Sequence, residues 1–219
     1  MSTDRLPVSV ANDLSSSPWW RFRFAILAAV LVVVLGLDQS SKLWARDALA
    51  RPAPPSAAAS GSVLNEWAYW PARDIVLLQG LFHFQYAENR AAAFSLTRSL
   101  DESWRKPLLL GVGALAMVLI VGWLWRLKEP DPVTILALSF ILAGAIGNAI
   151  DRMWHGYVID FVSWRLERFF PSLPPWPTFN VADSAIVCGA LAVIFRSFVP
   201  FKQAAELRSA PVTASPEQG

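Results

Sequence analysis

Four uncharged, apolar runs divide this chain of 219 residues, at positions 24–37, 107–125, 133–150 and 184–195. A helix needs about 17–25 predominantly apolar residues to cross a bilayer, and the second and third runs reach that length. The first and fourth reach it when they extend through flanking arginines, whose side chains can snorkel towards the headgroups. The pattern therefore predicts four membrane-spanning helices.

Composition agrees with a membrane protein. Hydrophobic residues make up 54% of the chain and charged residues only 16%, whereas soluble domains carry about 25% charged residues. Tryptophans flank the apolar runs, as in interfacial aromatic belts. A soluble protein with four buried helices is the alternative, and the lengths of the uncharged runs disfavour it. No small-x-small cleavage site closes the first run, so we expect a retained helix and not a cleaved signal peptide.

The polar segments between the runs predict the domain organisation. Residues 1–18 and 202–219 are polar and predict disordered tails around one membrane domain, residues 19–201. After the first helix, residues 51–62 are rich in Pro, Ala and Ser and predict a flexible insertion. Residues 74–78 and 81–86 flank Gln79-Gly80 and predict a β-hairpin with Phe82, Phe84 and Tyr86 on one face.

An even number of spans places both tails on one side of the membrane and both long loops on the other. The distribution of Lys and Arg does not identify the cytoplasmic side, because the long loops hold more of them than the tails and the short turn.

Several kinds of chemistry are disfavoured by what the sequence contains. Cys188 is the single cysteine, so no intrachain disulfide can form. His83 and His155 are the only histidines, which makes a zinc site built from the protein alone improbable. The net charge is +2 without a basic patch, so we expect no nucleic-acid partner, no metal and no cofactor.

Two polar clusters lie at ends of the predicted helices. Asp38 and Lys42 follow the first run at i,i+4 spacing, which by itself indicates a surface ion pair. Asn148, Asp151 and Arg152 share one helix face at the end of the third run. Each cluster, taken singly, also fits an ordinary polar helix terminus.

Two aspartates stand in apolar surroundings. Asp160 lies within the short apolar stretch 157–162, and Asp183 directly precedes the fourth run. An aspartate at the centre of a membrane helix costs roughly 2.5–3.5 kcal/mol, and less near the interface. Two facing carboxylates can share one proton, as in aspartic proteases. The plainer interpretation is a solvated loop aspartate and a helix N-cap at Asp183.

These clusters belong to five motifs in a fixed order: Asp38-x3-Lys42, Asn89-x-Ala-Ala-Ala-Phe94, Gly147-Asn148-x2-Asp151-Arg152, Gly156-Tyr157-Val158-Ile159-Asp160-Phe161 and Phe179-Asn180-Val181-Ala182-Asp183-Ser184-Ala185. Their combination, over residues of about 22 to 201, closely resembles lipoprotein signal peptidase (signal peptidase II), an aspartic peptidase family. No single motif is specific. Ala91, where the family usually has Gly, and the insertion at 51–62 are departures from the family pattern.

The resemblance implies a fold, a location and an activity. The fold is that of an all-α membrane protein, with four transmembrane helices, a small extracytoplasmic β-sheet cradle and an interfacial helix. The enzyme is an endopeptidase of the bacterial inner membrane, with both termini cytoplasmic and the active site at the extracytoplasmic face. Acting as a monomer in membrane lipid, it removes the signal peptide of prolipoproteins on the N-terminal side of their diacylglyceryl-cysteine.

By the same resemblance, the catalytic residues are Asp160 and Asp183. The supporting residues are Asp38, Lys42, Asn89, Asn148, Asp151, Arg152 and Asn180. One aspartate holds a proton while the other activates water. The sequence leaves open which of the two is protonated. Arg152 is expected to hold substrate carbonyls, with Asp151 orienting its guanidinium.

Two other functions compete with this one. A serine–lysine peptidase would use Ser40 or Ser41 with Lys42, but sequence neighbours do not face each other on a helix. A non-catalytic scaffold or small transporter would use the intramembrane Asp and Arg as a path for protons or substrate. The polar groups gather on one side instead of lining such a path.

Overall fold

The computed structural model describes residues 19–52, 69–78, 81–90, 102–127, 131–166, 169–172 and 176–198. Within these ranges there are four α-helices: α1 (Trp19–Leu49), α2 (Glu102–Arg126), α3 (Pro132–Trp154) and α4 (Val181–Phe198). Each contains a segment long and apolar enough to cross a membrane: Phe22–Leu49, Lys106–Arg126, Pro132–Trp154 and Val181–Phe198. The prediction of a protein with four transmembrane helices is confirmed.

Helix α1 continues well beyond the apolar run that predicted it. It passes through Asp38 and Lys42 before it ends at Leu49. Both charged side chains are buried, because they face polar groups of α3 and α4 and not lipid. The ion pair therefore lies within the length of α1 and not at its C-terminal end, as the apolar run had suggested.

Helix α3 is the centre of the bundle and contacts the other three helices. Glycines bring α3 and α4 close together: a Cβ at Gly189 would lie 2.5 Å from the carbonyl oxygen of Ala137, and one at Gly144 would collide with the carbonyl of Ala182. Small residues at such crossings let helix backbones approach closely in membranes. Contact between α3 and α4 in turn sets the position of the first turn of α4.

Helix α2 packs against α3 and exposes most of its remaining surface, including Val118 and Leu119. Its C-terminal end is connected to α1 by Arg23, whose Nη1 donates to the carbonyl oxygens of Leu124 at 3.0 Å and Leu127 at 3.3 Å. These contacts satisfy carbonyl groups that have no partner within a helix end.

The sheets lie at the opposite end of the bundle, and all strand pairs are antiparallel. Strand β1 (Ala50–Pro52) pairs with β2 (Tyr69–Pro71). A second sheet has the order β3-β4-β5, formed by β3 (Ile75–Leu78), β4 (Phe82–Asn89) and β5 (Val158–Trp164). Pairing of β3 with β4 confirms the predicted hairpin, although its turn, Gln79-Gly80, lies outside the described residues.

The aromatic face of β4 packs on the last turns of α1. Tyr86 is buried with Ala45 and Leu49, and Phe82 and Phe84 pack against the same cluster. The hydrophobic contact fixes the sheet over the end of the bundle where α1 and α3 end and α4 begins.

Other predicted features fall on residues that the structure does not describe. They are the two tails, Ala91 and all of the 51–62 insertion except its first two residues, which belong to β1. The predicted interfacial helix is not among the elements formed by the described ranges.

Candidate active site

Asn180 directly precedes α4 and caps it. Its Oδ1 accepts a hydrogen bond from the backbone N–H of Asp183 at 2.9 Å, and Oδ2 of Asp183 accepts one from the Asn180 N–H at 3.2 Å. This reciprocal arrangement is a capping box, in which two N–H groups at the helix start are satisfied. Asp183 is therefore the third residue of the helix, and the interpretation of Asp183 itself as the N-cap is wrong.

Strand β5 places Asp160 beside this helix start. The strand follows α3 after a turn at Gly156, whose φ of 82° favours glycine. Asp160 is 1% exposed. Its Oδ1 accepts a hydrogen bond from Nδ2 of Asn180 at 2.7 Å, and its Oδ2 accepts one from Nδ2 of Asn89 at 3.0 Å.

The two aspartates influence each other's charge. Burial, followed by the negative charge of Asp183, raises the pKa of Asp160 from its ordinary value to about 8. Hydrogen bonds from Asn89 and Asn180 and the charge of Lys42 act in the opposite direction. On balance, these surroundings disfavour ionisation of the Asp160 carboxyl.

Asn148 connects the second aspartate to α3. Its Nδ2 donates to Oδ1 of Asp183 at 2.7 Å. Its Oδ1 accepts hydrogen bonds from Nζ of Lys42 and from Nδ2 of Asn180, both at 3.2 Å. Both the oxygen and the nitrogen of the Asn148 amide thus have polar partners.

A buried ion cluster supports this layer. Lys42 Nζ lies 2.8 Å from Oδ2 of Asp38 and 3.1 Å from Oδ2 of Asp151, and the three side chains are at most 2% exposed. Two buried carboxylates share one cation, so other donors must satisfy them. The backbone N–H of Ala182 donates to Asp38 at 2.9 Å, and that of Ile159 donates to Asp151 at 3.0 Å.

Gln39 also belongs to the cluster, although none of the five sequence motifs includes it as a named position. Its Nε2 donates to Oδ2 of Asp38 at 3.1 Å and to Oδ1 of Asp151 at 3.2 Å. It therefore supplies a neutral donor between the carboxylates of α1 and α3. Its place directly after Asp38 is the one available signal.

Arg152 faces the aspartates from the end of α3. Its Nη1 donates to the backbone carbonyl of Asn148 at 3.3 Å, and it interacts electrostatically with Asp183 and Asp160. Asp151 is committed to Lys42 and does not hydrogen-bond the guanidinium. The expected hydrogen bond from Arg152 to Asp151 is therefore not among the contacts of the described residues, and Asp151 acts on the guanidinium through its charge.

A cavity of about 450 Å³ opens beside Asp183, between α2, α3, α4 and the segment before α4. Its polar wall is formed by Asn89, Asn148, Arg152 and Asp183. Its remaining lining is mostly apolar and includes Leu109, Val112, Trp176, Ile186 and Val187. Such a mixture suits a ligand with an apolar body and a polar reacting group.

The structure brings all nine predicted residues into this one region. The alternative pair of Ser41 and Lys42 is not formed: Ser41 Oγ donates to the backbone carbonyl of Asp38 at 2.9 Å, while the Lys42 ammonium belongs to the ion cluster.

Comparisons with known proteins identify the family of this chain. The family model described as signal peptidase (SPase) II matches residues 30–199. A lipoprotein signal peptidase of Cellvibrio japonicus is 30% identical over 186 residues, which cover 85% of this chain and 92% of the relative. Another, from Alteromonas mediterranea, is 34% identical over 142 residues, covering 62% and 75%.

Solved structures show the same fold. A bacterial membrane enzyme determined by the in meso method at 2.3 Å resolution aligns with a TM-score of 0.57 at 19% identity, over 88% of this chain and 94% of that one. A second, at 1.9 Å resolution, aligns with a TM-score of 0.58 over 80% and 94%. With the match of the family model, these findings establish that the chain belongs to the signal peptidase II family of membrane-embedded aspartic peptidases.

Proposed function

We propose that Asp160 and Asp183 form a catalytic dyad that activates water to cut prolipoproteins on the N-terminal side of their diacylglyceryl-modified cysteine. One observation carries the proposal. Asn180 contacts both carboxylates at once, through its side-chain amide to Asp160 at 2.7 Å and its backbone N–H to Asp183 at 3.2 Å. The two acids are thus held by a single residue beside the cavity.

The environment of each aspartate suggests its role. Asp160, with a pKa raised to about 8 by burial and by the neighbouring charge, keeps its proton at neutral pH and acts as the acid. Asp183 is the base: it takes a proton from water as the water oxygen attacks the scissile carbonyl, whose oxygen receives the proton of Asp160. When the C–N bond breaks, Asp183 returns its proton to the leaving amine and Asp160 recovers its own from the collapsing hydroxyl.

The cavity is the proposed substrate site. Leu109, Val112 and Val187 provide apolar surface for the hydrophobic substrate, and Arg152 provides a charged donor for a peptide carbonyl near the dyad. Asn89, Asn148 and Asn180 hold the carboxylates in place. Water activation by two carboxylates requires no metal.

We further propose that residues 19–201 are the working unit, with segments 1–18 and 202–219 as tails. Both tails would lie in the cytoplasm and the dyad at the extracytoplasmic face of the inner membrane. All nine site residues come from one chain, which supports a monomeric enzyme.

Cleavage by the purified protein tests the proposal. A diacylglyceryl-modified precursor should release its signal peptide, while the same precursor without the lipid should stay intact. Asp160→Asn and Asp183→Asn should each remain folded and lose cleavage by at least about 10³-fold, and EDTA should change nothing. Full activity of either variant would rule out the dyad.

A further inference from the structure

Besides Asp38 and Asp151 of the ion cluster, one more carboxylate without a role in the proposed reaction is buried near the dyad. Glu88 lies in β4, directly before Asn89, and its side chain is 0% exposed. A buried carboxylate is strongly unfavourable unless its charge and lone pairs are matched by donors. The partners of Glu88 therefore indicate what its burial achieves.

Both oxygens of Glu88 are engaged. Oε1 accepts a hydrogen bond from the hydroxyl of Tyr86 at 3.2 Å, and Oε2 lies 3.2 Å from Nη2 of Arg90. The guanidinium carbon of Arg90 lies 5.2 Å from the centre of the Tyr157 ring, within the range of cation–π attraction. We refer to Tyr86, Glu88, Arg90 and Tyr157 as the Glu88 clamp.

The tyrosines of the clamp act as donors throughout the neutral range. Burial, followed by the charge of Glu88, raises the pKa of Tyr157 to about 12 and that of Tyr86 further still. Both hydroxyls therefore keep their protons wherever Glu88 is ionised.

Asn89 lies between the two charged members of the clamp. Side chains alternate along a strand, so Glu88 and Asn89 point to opposite faces. In the β4–β5 ladder, Glu88 is opposite Ile159 and Asn89 is opposite Val158. The clamp thus fixes the backbone on both sides of the residue whose amide donates to Asp160 at 3.0 Å.

We propose that the Glu88 clamp is a positioning device for the reaction, which holds the end of β4 so that the Asn89 amide remains on Asp160. The inference rests on the proposed function, because it takes Asp160 as the acid of the dyad. Glu88 itself is a positioning residue and does not touch the reacting atoms.

The electrostatics around Asp160 allow a test by the direction in which the pH dependence of activity shifts. The charged groups that act on Asp160 are Asp183 from α4, Arg152 from α3 and Lys42 from α1. Lys42 is itself paired with Asp38 and Asp151. Activity should fall at alkaline pH when Asp160 loses its proton. Loss of the Asn89 hydrogen bond disfavours the ionised form of Asp160. It therefore moves this fall in activity, the alkaline limb of the pH profile, to higher pH. Loss of the negative charge of Glu88 alone favours the ionised form of Asp160 through space, and so moves the alkaline limb to lower pH.

The experiment compares Glu88→Ala with Glu88→Gln in the purified, full-length protein on a diacylglyceryl-modified precursor. Glu88→Ala releases the clamp: kcat should fall about tenfold with KM changed less than about twofold, and the alkaline limb should move to higher pH. Glu88→Gln keeps an acceptor for Tyr86 and Arg90, so kcat should stay within about threefold and the limb should stay or move to lower pH.

A double-mutant cycle isolates the coupling to Asn89. Asn89→Ala should move the limb in the same direction as Glu88→Ala but further, because it keeps the negative charge of Glu88. The double variant should be no slower than Asn89→Ala alone. Ser139→Ala, a buried polar change in the middle of α3, should leave kcat and the pH profile unchanged. If Glu88→Ala does not fold, Arg90→Met, at a side chain that is 23% exposed, opens the clamp from its outer end.

Two results would overturn the inference: an unaltered pH profile when the clamp is opened, or losses that are additive in the double variant. The proposed function fails separately, when Asp160→Asn or Asp183→Asn still cleaves. If those variants are inactive while the clamp variants behave like the wild type, only the positioning role is rejected.

Discussion

The ammonium of Lys42 determines which side of the Asn148 amide faces Asp183. Lys42 is a donor only, so it requires the Oδ1 side of Asn148, which lies 3.2 Å from Nζ. The Nδ2 side is thereby directed to Asp183 at 2.7 Å. A cation from α1 thus acts on an acid of α4 through an amide of α3.

Replacing Lys42 by Met should remove both this control and the charge balance of the ion cluster. Asp38 and Asp151 would remain buried without their shared cation, so unfolding in detergent should become easier by about 3–5 kcal/mol. Cleavage should fall with it. Asp47→Asn, at a side chain that is 76% exposed on the same helix, should change the unfolding free energy by less than about 1 kcal/mol. A Lys42→Met protein as stable as the wild type would contradict this account.

Asn180 has two functions that two substitutions can separate. Ser is a good N-cap, so Asn180→Ser should keep the start of α4 but lose the side-chain donor to Asp160. We expect near-native thermal stability with kcat lowered about 10²-fold. Asn180→Ala should lose the donor and also about 0.5–2 kcal/mol of helix capping. Equal activity of Asn180→Ser and wild type would show that the amide has no part in catalysis.

Gly147 permits the approach of α1 to α3. A Cβ at this position would lie 2.6 Å from Oδ2 of Asp38, which is held in place by its own hydrogen bonds. Gly147→Ala should therefore cost about 1–3 kcal/mol of unfolding free energy and impair cleavage. Gly122→Ala is the matched control, because no atom lies within 4 Å of its added Cβ. The prediction fails if the two variants unfold alike.

The raised pKa of Asp160 predicts how stability depends on pH. Because the folded-state value of about 8 exceeds that of an unfolded carboxyl, about 3.9, the folded protein binds more protons between these limits. Stability should fall as pH rises through this window and level off above it. As pH rises from about 4 to about 8, Asp160→Asn should therefore gain stability relative to wild type, as measured by thermal unfolding. Asp47→Asn should show the same dependence of stability on pH as the wild type. If the stability of Asp160→Asn also changed with pH in parallel with the wild type, the raised pKa of Asp160 would be contradicted.

The helices and the hairpin could be predicted because each is encoded by residues that are close together in the sequence. Uninterrupted apolar runs identify spans, and alternation with a Gly-containing turn identifies β3 and β4. Strand β5 gives no such signal, since Val158 to Val162 are all buried and no apolar–polar alternation remains. Its assignment depends on pairing with β4, about seventy residues earlier in the chain.

The site shows where pattern and family resemblance reach their limit. They identified residues that lie together, but not which groups bond to which. Asn180 and Asp183 are both good capping residues, so local preference cannot choose between them. The Glu88 clamp depends on the register of β4 with β5, including the irregularity between Phe84 and Ala87. Gln39 joins the ion cluster only because α1 and α3 cross there.

The spacing of Asp38 and Lys42 has a consequence for how the protein enters the membrane. Four residues apart on one helix, the two side chains can neutralise each other before any later segment has been made. α1 therefore carries a dipole into the bilayer and not two isolated ions. Asp151 joins when α3 arrives, and the backbone of Ala182 binds Asp38 only when α4 starts to form. Because α4 follows the other three helices and supplies Asp183, a chain that has not yet made it has an incomplete site.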